Sequence, residues 1–535
     1  PPLGRSGVIR MGMETRAFDP PKVAGRCAST FTAMPIHRLP YAATHRFSSL
    51  VLDHVAGDEF LRAFQDYPAA REGLSAAAKA RRFDPASRTA LVAALKKQYA
   101  GIDVNGPVSA NIDRLAQADS LTVTTGHQLC LFLGPLYVPF KLLNAIRLAR
   151  EAESMLGKPV VPIFWMASED HDRAEIDHTW FGGQKLHWAG PAQGAVGHLE
   201  LHGISAVVEE ACSLLGAGSE ADSLRALLRM CYRDGRTLAE ATRLFAHALF
   251  GRFGLVIIDG DDRTLKQLFV PVMREEILNG IAKRSVDYAD AKLKERYAPQ
   301  AHARSINLFH LRPGHRSRIE AGGGAFQVLD GGPRFTADEL LLDLELRPQD
   351  YSPNVLLRPV YQETVLPNIA YIGGGGELAY WMQLKWLFNA VRVPMPAVML
   401  RTSAALIPAK TGRLVADLDL DLADLFKPDH ELRTALARAA AGADALLTPE
   451  AASLLVIAQA MRRKAGLTDP TLVKSAESAH VRMQRALDGL QARMDRALRR
   501  KEAIQLQRLD RILAELFPAG ALQERRLSAL PFIAQ

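Results

Sequence analysis

The sequence is poor in cysteine and has no long hydrophobic run. Its four cysteines, Cys27, Cys130, Cys212 and Cys231, lie far apart and form no CxxC pair. This argues against a disulfide framework and a structural zinc site, and it suits a reducing cytosol. No apolar stretch approaches the roughly 18 residues that a membrane span needs. We therefore expect a cytoplasmic protein that does not enter the membrane.

A strong charge of one sign is also missing. The formal net charge is +8 over 535 residues, and residues 1–33 hold five Arg or Lys against two acidic residues. The remainder is too mildly basic to indicate nucleic acid, although it permits phosphorylated or carboxylated ligands. Residues 1–33 are rich in Pro, Gly and Arg and lack the apolar segment of a secretory signal. We expect a disordered leader there, with Met34 as a plausible start.

Four short β-type runs indicate an α/β fold. They lie at residues 121–125, 160–165, 255–258 and 397–400, and a helical pattern at Tyr137–Met155 separates the first two. This order predicts a parallel sheet with crossover helices. In such sheets ligands bind beyond the carboxyl ends of the strands, so the polar residues that follow each run are the candidate site.

Composition divides the chain further. Glycine becomes sparse after about residue 405, and Thr471–Phe517 reads as one long helix, which two antiparallel helices or a helical hairpin would fit. A projecting coiled coil is favoured over a helix packed on its own domain, because polar residues dominate the other faces. We predict the following organisation: a core at 34–404 with insertions at about 180–250 and 285–350, a helical coiled-coil domain at 405–520, and a tail at 521–535 that packs back on the core.

A glycine-rich stretch is the most distinctive motif. The apolar run Val355–Leu357 predicts a strand, and four consecutive glycines precede a helix from Glu377 to about Asn389. Backbone N–H groups at such a turn can meet an anion. The alternative is a loop that needs positive φ and close packing, because the glycines match neither the P-loop nor the dinucleotide fingerprint.

A second turn follows the first predicted strand. There a Gly-His turn before a basic helix could hold phosphate, or it could be a turn with a satisfied histidine. The predicted nucleotide- or phosphate-binding residues are Gly126, His127, Gln128, Gly134, Gly373, Gly374, Gly375 and Gly376.

Four ionisable residues follow the second predicted strand, namely Glu169, Asp170, His171 and Asp172. Crowded carboxylates raise one another's pKa and can form a general base, or they can recruit a cation. The alternative is an acidic helix start that complements the helix dipole. We predict that these four are catalytic and that no metal ion is tightly bound.

Two arginines, Arg358 and Arg401, each follow an apolar run. Arginine in that position suits bidentate recognition of carboxylate or phosphate. The alternative is an ion pair with Glu363 or Glu377. The predicted substrate-binding residues are Arg358, Gln362, Glu363, Arg401 and Asn307.

Six separated blocks resemble the bacillithiol biosynthesis BshC family of cysteine-adding enzymes. They are TGHQLCLFLGPLY (125–137), PIFWMASEDHDRAEIDH (162–178), SINLFHLR (305–312), SPNVLLRPVYQETVLPNIAYIGGGGELAYWMQLK (352–385), PMPAVMLRTS (394–403) and LQERRLSALPF (522–532). The resemblance covers about residues 34–535 in the same order, so it is far more specific than any single motif.

The resemblance implies a Rossmann-like core of the HUP or nucleotidyl-transferase type with connecting-peptide insertions, and a coiled-coil domain that forms a homodimer. It implies a ligase that joins cysteine to the amine of glucosaminyl-malate, and we expect ATP with Mg²⁺ to activate the cysteine carboxylate. Small molecules are then the partners, without nucleic acid or membrane. Two alternatives are another HUP-type nucleotidyl-transferase or tRNA-linked enzyme, and a non-catalytic dimeric coiled-coil scaffold.

Overall fold

The chain divides into two compact units. The first comprises residues 46–404 and 523–535, and the second comprises residues 1–45 and 405–522. A computed structural model describes residues 7–11, 35–104, 106–191, 193–441 and 446–535. Most of the predicted leader at 1–33 therefore lies outside the described residues, and the exception, Gly7–Met11, forms a strand.

The first unit is built on five parallel strands, which confirms the predicted α/β class. In space their order is β5-β4-β1-β2-β3. Because β4 returns to the opposite side of β1 from β2 and β3, the carboxyl ends of β1 and β4 lie at the topological switch point, where such sheets bind ligands. The strands are β1 Leu121–His127, β2 Val160–Met166, β3 Val256–Asp259, β4 Asn368–Gly373 and β5 Ala397–Leu400.

Four helices position side chains at this edge of the sheet. Helix α1 ends at Gly157, whose φ of 63° is the left-handed conformation that glycine adopts readily. Helix α2 begins where Asp262 accepts hydrogen bonds from two backbone N–H groups of the first turn. The four are α1 Tyr137–Leu156, α2 Arg263–Asn279, α3 Leu357–Val365 and α4 Gly375–Trp381.

The predicted strand at Val355–Leu357 is wrong. The first two of these residues form a turn, and Leu357 opens helix α3. The Asn354 side chain accepts hydrogen bonds from the N–H groups of Leu356 and Leu357 at 3.0 and 3.2 Å, so it caps the helix. A short apolar run fits a buried helix turn as well as a strand, and here the cap decides.

Helices and two smaller sheets surround the central sheet. Before β1 come helices Ser49–Ala56, Glu59–Arg62, Arg71–Ala80, Pro85–Gln98 and Pro107–Arg114. Between β2 and β3 lie helix Arg173–Ile176, the hairpin His178–Phe181 with Gln184–His187, and helices Ile204–Leu214, Ser219–Cys231 and Leu238–Phe250.

Between α2 and α3 lie helices Ile281–Leu293 and Ala337–Leu346 and an antiparallel sheet. Its strands, in spatial order, are Arg334–Phe335, Ala325–Val328, His315–Gly322, Leu308–Arg312 and Tyr351–Pro353. Helices Lys385–Ala390 and Leu530–Ile533 complete the unit. The helix predicted from Glu377 to about Asn389 is thus two helices, α4 and Lys385–Ala390.

The second unit is mainly helical. Its helices are Ala409–Asp417, Asp429–Ala441, Thr448–Thr468, Val473–Lys501 and Ala503–Leu516. The predicted single helix Thr471–Phe517 is divided at Glu502, and its longer part forms a helical hairpin with Thr448–Thr468 across a short turn. A three-stranded sheet has the order Ser403–Ile407, Gly7–Met11, Ile36–Leu39. No helix in the described ranges is long and apolar enough to cross a membrane.

Candidate active site

Two groups of charged side chains lie at the carboxyl edge of the central sheet. The switch-point cluster, beside β1 and β4, consists of Lys141, Arg358, Tyr371 and Glu377. The carboxylate cluster, beside β2 and β3, consists of Glu169, Asp170, Asp261, Lys266 and Arg316. A hydrogen bond of 2.7 Å from the Gln128 amide, just after β1, to Asp170 joins the two strand ends.

A buried ion pair forms the base of the switch-point cluster. The Lys141 ammonium, only 1% exposed, lies 2.6 Å from Glu377 Oε2 and 2.5 Å from the Gly126 carbonyl oxygen. The Tyr371 hydroxyl donates to Glu377 Oε1 at 2.5 Å. Burial alone would raise the pKa of Glu377, but Lys141 and the hydrogen bonds lower that pKa to about 2. The Glu377 carboxylate is therefore ionised and already paired.

Arg358 is the cation of this cluster that no carboxylate neutralises directly. Its guanidinium donates to Gln362 Oε1 at 3.1 Å and to the Tyr380 hydroxyl at 3.0 Å. Within the part of the chain that the structure describes, no carboxylate oxygen lies within 4 Å of it. A Cβ atom placed on Gly126 would lie 3.5 Å from its Nη1. Arg358 thus lies beside the end of β1, although helix α3 carries it and the strand predicted before it is absent.

Two of the four glycines, Gly373 and Gly375, have a packing role rather than a conformational one. None of the four has a positive φ, so the alternative of a left-handed turn is wrong in that respect. A Cβ on Gly373 would lie 3.1 Å from Glu377 Cβ, and one on Gly375 would lie 3.0 Å from a Val51 methyl group. The Gly374 N–H donates to Glu377 at 2.8 Å. That amide is consequently occupied by the chain's own carboxylate.

A neutral histidine, His127, ends strand β1. The Gly-His turn predicted here is therefore wrong, because Gly126 and His127 both pair with β2 as strand residues. Burial, helped by Lys141, lowers the pKa of His127 to about 3, so its imidazole is uncharged at neutral pH. The Tyr137 hydroxyl lies 3.2 Å from its Nε2. In the loop after β1, a Cβ on Gly134 would lie 2.5 Å from the Cβ of Cys130. Burial raises the pKa of the Cys130 thiol to about 12, which makes it a poor nucleophile.

Arg401 is held by the C-terminal tail. Its Nη2 lies 2.8 Å from Glu524 Oε1, and both side chains are almost fully buried. Glu524 also accepts from the Ser403 hydroxyl at 2.6 Å and from the Ala404 N–H at 3.0 Å. The Arg401 guanidinium lies over the Tyr137 ring. Its carboxylate partner is therefore neither of the two that the sequence offered, Glu363 and Glu377.

In the carboxylate cluster, two acids share one lysine. Lys266, 1% exposed, lies 2.8 Å from Glu169 Oε1 and 2.5 Å from Asp261 Oδ1, and it donates to the Gln349 carbonyl oxygen at 2.9 Å. Burial raises the pKa of Glu169, against the effect of Lys266. Burial would also raise the pKa of Asp261, but Lys266 and a hydrogen bond with His198 lower it. Divergent pKa values in one site are typical of acid–base machinery.

The Asp170 carboxylate already has hydrogen-bond donors and a nearby cation. It accepts from the Gln128 amide and from the His171 N–H, each at 2.7 Å, and Arg316 lies 3.7 Å away. These contacts lower its pKa despite burial. Arg316 also lies 2.9 Å from His171 Nδ1. The adjacent Asp172 is the N-cap residue of helix Arg173–Ile176, but its side chain caps no N–H there.

Three predicted substrate-binding residues are occupied by internal contacts. Glu363 accepts from the amides of Gln362 at 2.8 Å and Asn368 at 2.9 Å, and burial raises its pKa to about 7. The Asn307 amide donates to Glu276 at 2.8 Å and accepts from Asn354 at 2.8 Å. Gln362 touches Arg358, whereas Asn307 lies with α2 and the antiparallel sheet.

Comparison with known proteins decides the family. Residues 34–402 match the model described as "Bacillithiol biosynthesis BshC, N-terminal Rossmann-like domain", and residues 404–535 match its "C-terminal coiled-coil domain". The chain belongs to the BshC family. A Flavobacterium johnsoniae protein is 36% identical over 92% of this chain and 94% of its own length. A Cytophaga hutchinsonii protein is 33% identical over 94% and 95%, and a Salinibacter ruber protein is 30% identical over 94% of both. Each is named "Putative cysteine ligase BshC".

Sequence reasoning missed several members of this BshC-family site. Lys141 and Lys266 stand among apolar helix neighbours, and a lysine on the buried face of a helix is the signal that could have identified them. Arg316 and Glu524 carry no comparable signal, because their partners are far away in sequence. No group of three His, Cys, Asp or Glu among the described residues is placed to hold a metal ion.

Proposed function

We propose that this protein is a cysteine ligase that joins the carboxylate of L-cysteine to the amine of glucosaminyl-malate, acting in the cytosol. Family membership and the names of the relatives support the reaction class. The structural observation that carries the proposal is Arg358, a guanidinium without a carboxylate partner among the described residues, at the switch point of the sheet. The carboxylate cluster begins at the neighbouring strand β2, where Asp170 accepts a hydrogen bond from the Gln128 amide.

Amide formation from a free carboxylate and an amine is uphill in water, so the carboxylate must first be activated. ATP can do this in two ways. A cysteine carboxylate oxygen bonds to the α-phosphorus and displaces pyrophosphate, or it bonds to the γ-phosphorus and displaces ADP. Both routes place a phosphoryl group and a carboxylate together in one anion-binding site. Mg²⁺ would arrive with ATP and neutralise part of the phosphate charge.

The residues at the switch point suit such an anion. Arg358 supplies a planar donor pair, which matches carboxylate and phosphate oxygens. Gly126 has no Cβ, which leaves room beside the guanidinium, and the neutral His127 and the Gln128 amide follow it at the end of β1. Gly373 and Gly374 lie close to Glu377. Because Glu377 occupies the Gly374 N–H, we assign the phosphate to the end of β1 at Gly126–Gln128 and to Arg358.

The second step needs a base. The glucosamine ammonium must lose a proton before its nitrogen attacks the activated carbonyl carbon and expels AMP or phosphate. Among Glu169, Asp170 and Asp172, we assign this role to Glu169, because burial raises its pKa while the contacts of Asp170 lower the pKa of that group. Lys266 holds Glu169 Oε1, and Oε2 takes the proton.

We further propose that the chain forms a homodimer through its helical hairpin. Helix Thr448–Thr468 exposes Leu455, Val456 and Ile457 by 49%, 66% and 52%, within the unit that matches the coiled-coil model. Adjacent exposed apolar side chains of this kind are typical of a surface that a partner covers. Val456→Asp should shift the protein toward monomer in sedimentation velocity.

An omission experiment tests the reaction. The purified protein is incubated with glucosaminyl-malate, cysteine and ATP, each left out in turn, and products are identified by mass spectrometry. The proposal predicts an amide product only with all three, together with AMP or ADP. Product without ATP would overturn the activation step, and no product from folded protein would overturn the proposed reaction.

A further inference from the structure

A cavity of about 240 Å³ lies between two segments that flank the central sheet. One segment comprises residues 191 and 193–202, between β2 and β3, and the other is the hairpin turn at residues 311–315. Gly194 and Gly314 bring the segments together, since a Cβ on Gly194 would lie 3.2 Å from the Cα of Gly314. Both glycines have positive φ, 98° and 72°, so side chains are disfavoured at both positions.

The lining of this cavity includes three histidines and one arginine. They are His198, His202, His315 and Arg312, and Glu200 is the one carboxylate among the described lining residues. Arg312 Nη2 already donates to a serine hydroxyl and to two carbonyl oxygens, so the imidazoles are the main donors. Glu200 lies 2.8 Å from His202 Nε2, so it is already paired. Imidazole and guanidinium N–H groups around a cleft suit a ligand with several anionic oxygens.

The cavity borders the carboxylate cluster directly. The Val196 N–H donates to the Asp170 carbonyl oxygen at 2.6 Å, and the Gly197 N–H donates to the Ser168 carbonyl oxygen at 2.7 Å. His198, which lines the cavity, lies 2.5 Å from Asp261, and Asp261 shares Lys266 with Glu169. A molecule held in the cavity thus lies beside the loop that carries the proposed base.

We propose that this cavity binds the dicarboxylate half of the acceptor, a hydroxy-dicarboxylic acid such as malate, and directs the amine toward Glu169. This inference rests on the proposed function. It places the carboxylates of the acceptor in the cavity, whereas Arg358 holds the cysteine carboxylate that is being activated. The volume supports a fragment of this size, because whole drug-sized ligands occupy about 300–1,000 Å³.

The test uses His202→Ala/His315→Ala in the full-length protein. Losing two hydrogen bonds to carboxylates should raise the KM for glucosaminyl-malate by about 10- to 100-fold. The KM for cysteine and kcat should change by less than about twofold. His430→Ala, an exposed histidine on helix Asp429–Ala441, is the matched control and should change neither constant. Unchanged KM for the acceptor in an active double variant would overturn the inference alone.

A binding measurement keeps the two proposals distinguishable. Calorimetry with L-malate alone should show binding to the wild type and loss of binding in the double variant, whether or not the protein forms an amide. Loss of malate binding with intact thermal unfolding supports the cavity. Equal malate binding by the two proteins, or no binding by the wild type, would overturn the cavity assignment.

Discussion

The two halves of the sheet's carboxyl edge treat charge in opposite ways. Beside β4 and β5 the ionised acids Glu377 and Glu524 each have their own cation, Lys141 and Arg401, and Arg358 is left as surplus positive charge. Beside β2 and β3 carboxylates outnumber cations, so that acids share partners and their pKa values separate. In our proposal the first half holds an anion and the second accepts a proton, and an amide-forming ligase needs both.

The largest effect is expected from removing the proposed base beside β2 and β3. Glu169→Gln should lower kcat by about 10²–10⁴-fold, because the amine loses its base. Asp170→Asn is the isosteric control and should cost less than tenfold. In the wild type, kcat should fall as pH drops through the raised pKa of Glu169, and this limb should be absent in Glu169→Gln. A greater loss in Asp170→Asn would reverse the assignment.

The next largest effect is expected from breaking the buried ion pair between Glu524 and Arg401, beside β5. Glu524→Gln leaves Arg401 buried without its counter-charge and should lower the free energy of unfolding of the first unit by about 3–5 kcal/mol. Asp495→Asn, which breaks a more exposed pair with Arg438 in the second unit, should cost about 1 kcal/mol or less. Urea unfolding measures both. Similar losses in the two variants would contradict the difference in burial.

Glu363, beside β4, gives a pH-dependent test. Its pKa is raised from 4.5 to about 7, so between those values the unfolded chain loses the proton first. The contribution of this carboxyl group to the free energy of unfolding therefore falls as pH rises from about 4.5 to 7, by up to about 3 kcal/mol. Glu363→Gln should remove that part of the decline, as measured by urea unfolding at pH 5 and 7.5. Parallel curves for variant and wild type would contradict the raised pKa.

The smallest expected effect sharpens the role of Arg358. Arg358→Lys keeps the charge but loses the paired donors. It should lower kcat/KM about 30-fold, which corresponds to a loss of about 2 kcal/mol in transition-state stabilisation. Arg147→Lys, on the exposed face of α1, is the matched control and should be neutral. If both lysine variants were fully active, Arg358 would contribute charge alone.

The sheet could be predicted because buried strands leave apolar runs that end in polar residues, as at Trp165 and Glu169. The run at Val355–Leu357 could not be assigned, since its length fits either structure and the cap at Asn354 decides. Ionic partners were harder still. Arg401 and Glu524 are separated by more than a hundred residues, and nothing in local sequence joins them. The position of Glu169 beyond the end of a strand was therefore predictable, whereas the position of Arg358 on a helix was not.

The division of labour between the two halves is most directly tested by trapping the activated acid. Glu169→Gln is incubated with cysteine, ATP and hydroxylamine, without glucosaminyl-malate, and the hydroxamate is measured. Hydroxylamine is largely unprotonated at neutral pH and needs no base, so we expect hydroxamate at close to the wild-type rate while amide formation with glucosaminyl-malate is lost. Loss of the hydroxamate together with the amide would place Glu169 in activation and contradict this account.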